Sequence, residues 1–155
     1  MCEGEEQKKL EQYARRIKSP VHFLGKVDTK GKVELLQRAW VLVNPSSMEG
    51  WGLTVIEANA CGTPVVASDV PGLRDSVNQD LSGFLVPYGN VAQFAEKTSL
   101  LITNAAVRRK ISRQATVWSK HFSWVRSAHD SLALIQGHHV KSLRVSRRRY
   151  AKSNI

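Results

Sequence analysis

The sequence predicts an α/β protein, a Rossmann-like doubly wound parallel sheet followed by C-terminal helices. Up to Val86, short uninterrupted apolar runs alternate with segments of helical periodicity. Such runs are typical of parallel strands covered on both faces, and the alternation is typical of strand–helix–strand units. After Val86 only helical periodicity recurs. Because ligands of such sheets bind beyond the carboxyl ends of the strands, we expect functional residues in the loops that follow them.

The spacing of apolar residues, together with proline and glycine, predicts where each helix and strand lies. Within residues 5–18 apolar residues recur at i, i+3, i+4 and i+7, which predicts an amphipathic helix that Pro20 ends. Four apolar runs predict strands at 21–24, 40–43, 63–67 and 83–86. The other predicted helices begin at about 30 and at Pro71, or span about 50–60, 91–103, 106–120 and 123–136.

The net charge of +10 is unevenly distributed over the 155 residues. Residues 1–104 hold 11 Lys/Arg against 12 Asp/Glu, whereas residues 105–155 hold 12 Lys/Arg against Asp130 alone. From Gly137 onward the chain has no acid and no clear periodicity, so we predict a domain over 1–136 and a basic, disordered tail over 137–155. The tail is interpreted as a solvated segment, with contact to an anionic membrane surface or to an acidic protein face as the alternatives. Nucleic-acid binding is not favoured, because no aromatic residues are interleaved with the basic ones.

Composition excludes several classes of protein. No apolar run approaches the roughly 18 residues of a membrane span, and the charged start lacks the apolar core of a signal peptide. Cys2 and Cys61 form neither a disulfide framework nor a metal-binding spacing, so we predict no metal site and a buried, reduced thiol at Cys61. The expected location is the cytoplasm, with peripheral contact at the inner face of the membrane if the tail binds lipid.

The segment after the second predicted strand carries the strongest chemical signal. Gly50 and Gly52 flank Trp51 where a helix is predicted to begin. A helix N-terminus has free N–H groups and partial positive charge, and glycine lets an anion approach the backbone. The pattern predicts a phosphate cradle, although a Gly-x-Gly alone also occurs in simple tight turns.

Two carboxylates lie eight positions apart around this helix start. Glu57 falls in an otherwise apolar helix, where a carboxylate needs a partner. A ribose diol would supply two donors, and the alternative is a basic side chain or a backbone turn. Glu49 precedes the helix, where it can cap the free amides or face a hexose beyond the phosphates.

The chain resembles the C-terminal domain of GT-B fold retaining glycosyltransferases, the group 1 family with the E-x7-E motif. The resemblance rests on V-H-F-L-G-K-V (21–27), P-S-S-M-E-G-W-G-L-T-V-I-E-A-N-A-C-G-T-P-V-V-A-S (45–68), V-P-G-L-R-D-S-V (70–77) and G-F-L-V-P (83–87). It implies that Glu57 holds the ribose hydroxyls and that Glu49 is the catalytic residue, contacting the donor sugar. It further implies that the backbone of Gly50, Trp51, Gly52, Leu53 and Thr54 contacts the sugar and phosphates. The backbone of Gly25, Lys26 and Val27 would edge the base.

The implied activity is retaining transfer of a hexose from a nucleotide-diphosphate sugar, a co-substrate, without a metal or other cofactor. The chain departs from the family pattern where a basic pair would hold the diphosphate, and the acceptor-binding N-terminal domain is missing. We therefore expect an N-terminally truncated domain: a truncated gene product, an isolated domain, or one half of a split enzyme whose acceptor half lies on a separate chain. The alternative is a catalytically inactive fragment or an interaction module acting through its basic C-terminal region.

Overall fold

The computed structural model describes residues 6–137. The chain divides into two compact units, Met1–His121 and Phe122–Ile155, and in the second unit residues 122–137 are described. The first unit carries a parallel sheet and six helices within residues 6–121, and the described part of the second is a single helix. The predicted basic tail lies outside the described residues except for Gly137.

The sheet has three parallel strands in sequence order, β1 (Leu42–Asn44), β2 (Val65–Ser68) and β3 (Gly83–Val86). Val43 pairs with Val66, and Val66 pairs with Phe84, so β2 is the central strand. All four residues of β2 are buried, as its uninterrupted apolar run predicts. The predicted α/β class with a parallel sheet is confirmed.

Seven helices lie within residues 6–137, each close to its predicted place. Several begin at a polar side chain that accepts a hydrogen bond from the first turn; Asp28, Asn90 and Asn104 cap their helices in this way. In chain order the helices are α1 (Gln7–Arg16), α2 (Thr29–Arg38), α3 (Leu53–Ala60), α4 (Leu73–Ser76), α5 (Val91–Thr103), α6 (Ala105–Ser119) and α7 (Trp124–Ile135).

Alternate side chains of β2 enter two separate apolar cores. Val65 and Ala67 lie in a core with buried residues of α2, α3 and α4, whereas Val66 lies in a core with buried residues of α5 and α6. Since successive side chains of a strand point to opposite faces, the sheet of the first unit is covered on both sides. This is the doubly wound arrangement that the sequence predicts.

The predicted strand at 21–24 is wrong, because this segment has irregular backbone and pairs with no strand among the described residues. Val21, Phe23 and Leu24 are 53%, 40% and 57% exposed. An apolar run becomes a strand only when a neighbour satisfies its N–H and C=O groups. The strand predicted at 40–43 corresponds to β1, which is shorter and spans Leu42–Asn44. Its pairing starts where the Leu42 N–H donates to the Pro64 carbonyl, at 2.9 Å.

The described helices include none that is long and apolar enough to cross a membrane.

Candidate functional site

The loop from β1 to α3 lies at the carboxyl edge of the sheet, where ligands bind in parallel α/β folds. Gly52 closes the loop with φ +81° and ψ 52°, a left-handed conformation that suits glycine. A residue in this conformation cannot belong to a right-handed helix, so α3 begins at Leu53 and not at the predicted residue 50.

The N-terminus of α3 is open. It has no side-chain cap and no acidic residue in its first turn. The Val55 N–H donates to the Gly52 carbonyl, but the N–H groups of Leu53 and Thr54 have no hydrogen-bond partner among residues 6–137. Leu53 is 52% exposed, and Thr54 is exposed as well. The first turn of α3 can therefore donate hydrogen bonds to an anion.

The loop between β2 and α4 supports this segment from behind. Gly72 has φ +83°, and a Cβ placed there would lie 2.3 Å from the Glu49 carbonyl oxygen and 2.8 Å from that of Gly50. A Cβ at Gly52 would in turn lie 2.8 Å from Leu73 Cδ2. The two loops therefore meet without room for even one added carbon atom. Sequence reasoning missed this role of Gly72, although Pro71-Gly72 was a signal of a turn.

The supporting loop is itself held at several points. Arg74 Nε donates to Asp69 Oδ1 at 2.5 Å, and Arg74 Nη2 donates to the Asp69 carbonyl at 3.0 Å. The Asp69 N–H donates to the Val86 carbonyl on β3, at 2.7 Å. Trp118 Nε1 on α6 donates to the Ser76 carbonyl at 2.8 Å. These bonds fix the surface on which residues 49–52 rest.

Glu57 projects from a partly exposed side of α3. Val55 and Ala58 are fully buried, but Ala60 is exposed, so the expectation of an otherwise buried helix holds for only part of it. The Glu57 side chain is 41% exposed, and its Oε1 lies 2.6 Å from Nζ of Lys32. Pairing with a basic side chain, the alternative that the sequence left open, is thus the arrangement in the structure.

Lys32 was missed because the sequence does not tell which side of α2 meets α3. This lysine lies in α2, which begins at Thr29, two residues after the predicted base-contacting segment Gly25, Lys26 and Val27. Gly25 has φ +59° with open space around its α-carbon, and Lys26 is exposed. The N-cap Asp28 follows Val27 and accepts a hydrogen bond from the N–H of Gly31, one residue before Lys32. The segment 25–27 therefore lies just before the helix whose Lys32 forms an ion pair with Glu57 of α3.

Glu49 is partly buried in the loop, and its carboxylate makes no hydrogen bond to the described residues. The capping alternative for Glu49 is therefore not realised, because the N-cap position belongs to Gly52. Gly50, Trp51 and Gly52 follow it directly into the open first turn of α3. The structure thus gathers the predicted residues 49–54 at one end of α3, with Glu57 about 6 Å further along the helix from Leu53.

Cys61 caps the other end of α3 and is a free, partly buried thiol. Burial raises its pKa above the ordinary value, and the negative charge of Glu57 raises it further. The predicted burial of Cys61 is only partial, and its reduced state stays a prediction.

We expect the Glu57 charge to slow the reaction of Cys61 with iodoacetamide. The thiolate is the reactive form, and a raised pKa lowers its fraction at pH 8. In a Cys2→Ser background, Glu57→Gln should lower the Cys61 pKa and increase the alkylation rate, followed by mass spectrometry. Glu34→Gln on the exposed side of α2 is the control. Equal rates in the Glu57→Gln variant and its parent would contradict the electrostatic cause.

Comparison of the sequence with known proteins identifies a family and relatives that cover most of this chain. The model of the family described as glycosyl transferases group 1 matches residues 2–118. A D-inositol 3-phosphate glycosyltransferase of Kribbella flavida is 34% identical over 122 residues, which cover 77% of this chain and 29% of the relative. The chain therefore spans under a third of that relative's length.

Solved structures of similar fold include two proteins whose names or ligands concern sugars. Sucrose-phosphate synthase from Thermosynechococcus elongatus aligns with a TM-score of 0.80 and 29% identity, covering 88% of this chain and 35% of that one. HepE from Anabaena, in complex with UDP and glucose, aligns with a TM-score of 0.75 and 25% identity, covering 85% and 37%. The parallel sheet with its flanking helices is thus the fold of GT-B glycosyltransferase domains.

Proposed function

Because this chain belongs to the glycosyl transferases group 1 family, we propose that the surface along α3 binds a nucleotide-diphosphate sugar, the donor of a hexosyl transfer. The observation that carries the proposal is the open first turn of α3, beside Glu49 and at the carboxyl edge of the sheet. An anion bound there gains from free N–H donors and from the positive end of the helix dipole. HepE, a structural neighbour solved with UDP and glucose, supports this choice of ligand.

The donor lies along α3 in this proposal. The diphosphate accepts hydrogen bonds from the backbone of residues 50–54, and the ribose diol donates to the carboxylate of Glu57. Glu57 lies roughly 6 Å along the helix from Leu53, just over one turn beyond the open N–H groups. The backbone of residues 25–27 edges the base, and Glu49 contacts the sugar.

The proposed reaction is transfer of the sugar to an acceptor with retention of configuration. As the bond to the sugar breaks, negative charge grows on the departing diphosphate, and the fixed N–H groups of α3 stabilise that charge. Glu49, with no bonding partner among the described residues, is available to the sugar. Because the chain spans about a third of its relatives' length, we propose that the acceptor is bound by residues outside it, on a separate chain or elsewhere in a longer protein.

A peripheral membrane contact is a further part of the proposal for the basic C-terminal region. Its support is the excess of Lys and Arg after residue 104, including Arg109 and Arg113, which are exposed on α6. Co-sedimentation with vesicles containing anionic lipid should weaken as salt rises. Vesicle binding that is unchanged by salt would count against this contact.

We expect UDP, GDP or ADP, alone or attached to glucose or mannose, to stabilise the chain against thermal unfolding. A ligand that binds only the folded state adds about 2.7 kcal/mol at a hundredfold excess over its dissociation constant. Glu57→Ala removes a charged acceptor of hydrogen bonds, each of which contributes about 1.5–3 kcal/mol, so the nucleotide should bind at least roughly tenfold more weakly. The readout is the unfolding midpoint by scanning calorimetry.

Glu34→Ala is the matched control, since it removes an exposed acid from α2 and should leave the ligand-induced shift unchanged. Retention of the full shift by Glu57→Ala would exclude Glu57 from the binding site. If none of the nine ligands shifts the midpoint of the folded wild-type chain, the proposed donor binding is wrong for this chain.

A further inference from the structure

We infer that Lys32 is a positioning residue for the ribose-binding carboxylate, holding Glu57 in the orientation that a donor requires. The inference rests on the proposed function of Glu57. Nζ of Lys32 lies 2.6 Å from Oε1 of Glu57, and the two residues stand 25 positions apart on different helices. The contact therefore comes from the packing of α2 against α3 and not from neighbours in sequence.

The pair leaves the carboxylate free to bind more. An ionised carboxylate has about four acceptor sites on its two oxygens, and Lys32 bonds only to Oε1. With 41% of the Glu57 side chain exposed, hydroxyl groups can reach the remaining sites. Lys32 thus fixes the side chain without blocking it.

Fixing the side chain before the ligand arrives strengthens binding. A glutamate that is free to rotate loses rotamer entropy when a ligand orders it, and a partly exposed ion pair can offset a part of that loss that corresponds to roughly threefold in affinity. In this chain the folding of α2 against α3 orders Glu57 in advance. Such preorganisation of a binding group is a general way of raising affinity without an added ligand contact.

A role in holding the fold together does not explain the pair equally well. Ion pairs between partly exposed side chains contribute little to stability, since water and salt screen them. The Lys32 side chain is 34% exposed. The contact between α2 and α3 has apolar support of its own, because Leu36 of α2 is buried in the same core as Val55 and Ala58 of α3. Loss of Lys32 should therefore leave the fold intact.

The position of α2 also makes the lysine relevant to the nucleoside end of the ligand. α2 follows the segment 25–27, and the N-cap Asp28 accepts a hydrogen bond from Gly31, the residue before Lys32. The base-edging backbone therefore lies just before the short helix that carries the cation orienting Glu57. Lys32 fixes the distance between the base contact and the ribose contact.

The test compares ribose with 2′-deoxyribose ligands on the full 155-residue chain. Dissociation constants are measured by calorimetry for UDP, GDP and ADP and for their 2′-deoxy counterparts. For the nucleotide that binds, the wild type should prefer the ribose form by about tenfold, and Glu57→Ala should remove that preference. Lys32→Met, which keeps the aliphatic stem, should reduce the preference to about threefold or less.

Two further variants separate positioning from charge. Lys32→Arg keeps a cation near Glu57 and should recover most of the preference for ribose. Lys30→Met removes an exposed lysine of the same helix and should behave as the wild type. Thermal unfolding midpoints of all variants without ligand verify that each is folded.

The outcomes distinguish the inference from the function on which it rests. If Lys32→Met weakens ribose and deoxyribose ligands equally, the lysine contacts another part of the nucleotide and the inference is overturned. If Lys32→Met keeps the wild-type preference while Glu57→Ala loses it, Glu57 binds ribose without help from Lys32. If no ribonucleotide binds the wild type, or Glu57→Ala keeps the preference, the proposed role of Glu57 fails and the inference fails with it.

Discussion

Replacing Gly72 with alanine is expected to lower the free energy of unfolding by about 2–5 kcal/mol and to abolish stabilisation by a nucleotide. Gly72 adopts φ +83° and ψ −52°, a conformation that costs other residues about 1–3 kcal/mol. The added Cβ would also lie 2.3 Å from the Glu49 carbonyl oxygen. The carbonyl groups of Glu49 and Gly50, which the Cβ would meet, both belong to the backbone, so neither can rotate away as a flexible side chain would.

The clash would be relieved at the functional site. The loop that carries Glu49 and Gly50 is short and ends at Gly52, where α3 begins. On the other side, Gly72 precedes Leu73, whose fully buried side chain anchors α4 in the core. The loop with the weaker anchoring has to move, and we expect this to be residues 49–50. That movement would displace both the sugar-contacting carboxylate and the open amides of α3.

Gly89→Ala is the matched control for this prediction. Gly89 has φ +80°, nearly the same as Gly72, but a Cβ there would meet nothing within 4 Å. The control should lose only the conformational part, about 1–2 kcal/mol, and keep the nucleotide-induced shift. Chemical denaturation gives the first quantity, and thermal unfolding with and without UDP, GDP or ADP gives the second. Equal destabilisation by the two variants would show that the contact of Gly72 with Glu49 is unimportant.

The sequence predicts the fold well where local patterning and burial agree. β2 is the clearest case, because its uninterrupted apolar run is buried on both faces. The segment 21–24 is the clearest failure, because an equally apolar run lacks a partner strand among the described residues. Periodicity reports which residues would prefer burial, whereas strand formation depends on a neighbour that periodicity does not reveal.

The candidate site divides in the same way. The glycines and the helix start after β1 could be found from the sequence, because their chemistry is local to one turn. Lys32 and Gly72 could not, since each acts on a residue that is distant along the chain, Glu57 and Glu49 respectively. Their roles depend on which faces of α2 and of the β2–α4 loop turn toward α3. The ligand-binding roles of Glu49 and Glu57 remain predictions.

Truncation of Leu73 to alanine is expected to destabilise the chain by about 2–5 kcal/mol and also to weaken nucleotide binding. Leu73 is fully buried, and its Cδ2 lies 2.8 Å from where a Cβ on Gly52 would stand. The cavity left by the truncation would therefore open directly beneath the residue that caps α3. The first turn would lose its support, and the N–H groups would no longer be held in place for a diphosphate.

Leu101→Ala isolates this local effect from the general loss of stability. Leu101 is also fully buried, but it lies in the core on the α5–α6 face of the sheet, whereas Leu73 lies in the core shared by α2, α3 and α4. Both truncations remove the same atoms, so chemical denaturation should give similar losses for the two variants. Nucleotide affinity, measured by calorimetry well below either unfolding midpoint, should fall for Leu73→Ala and stay unchanged for Leu101→Ala. A similar fall for both would mean that affinity follows the stability of the whole domain. A fall for Leu73→Ala alone would identify the core beneath Gly52 as the part of the fold that organises the site.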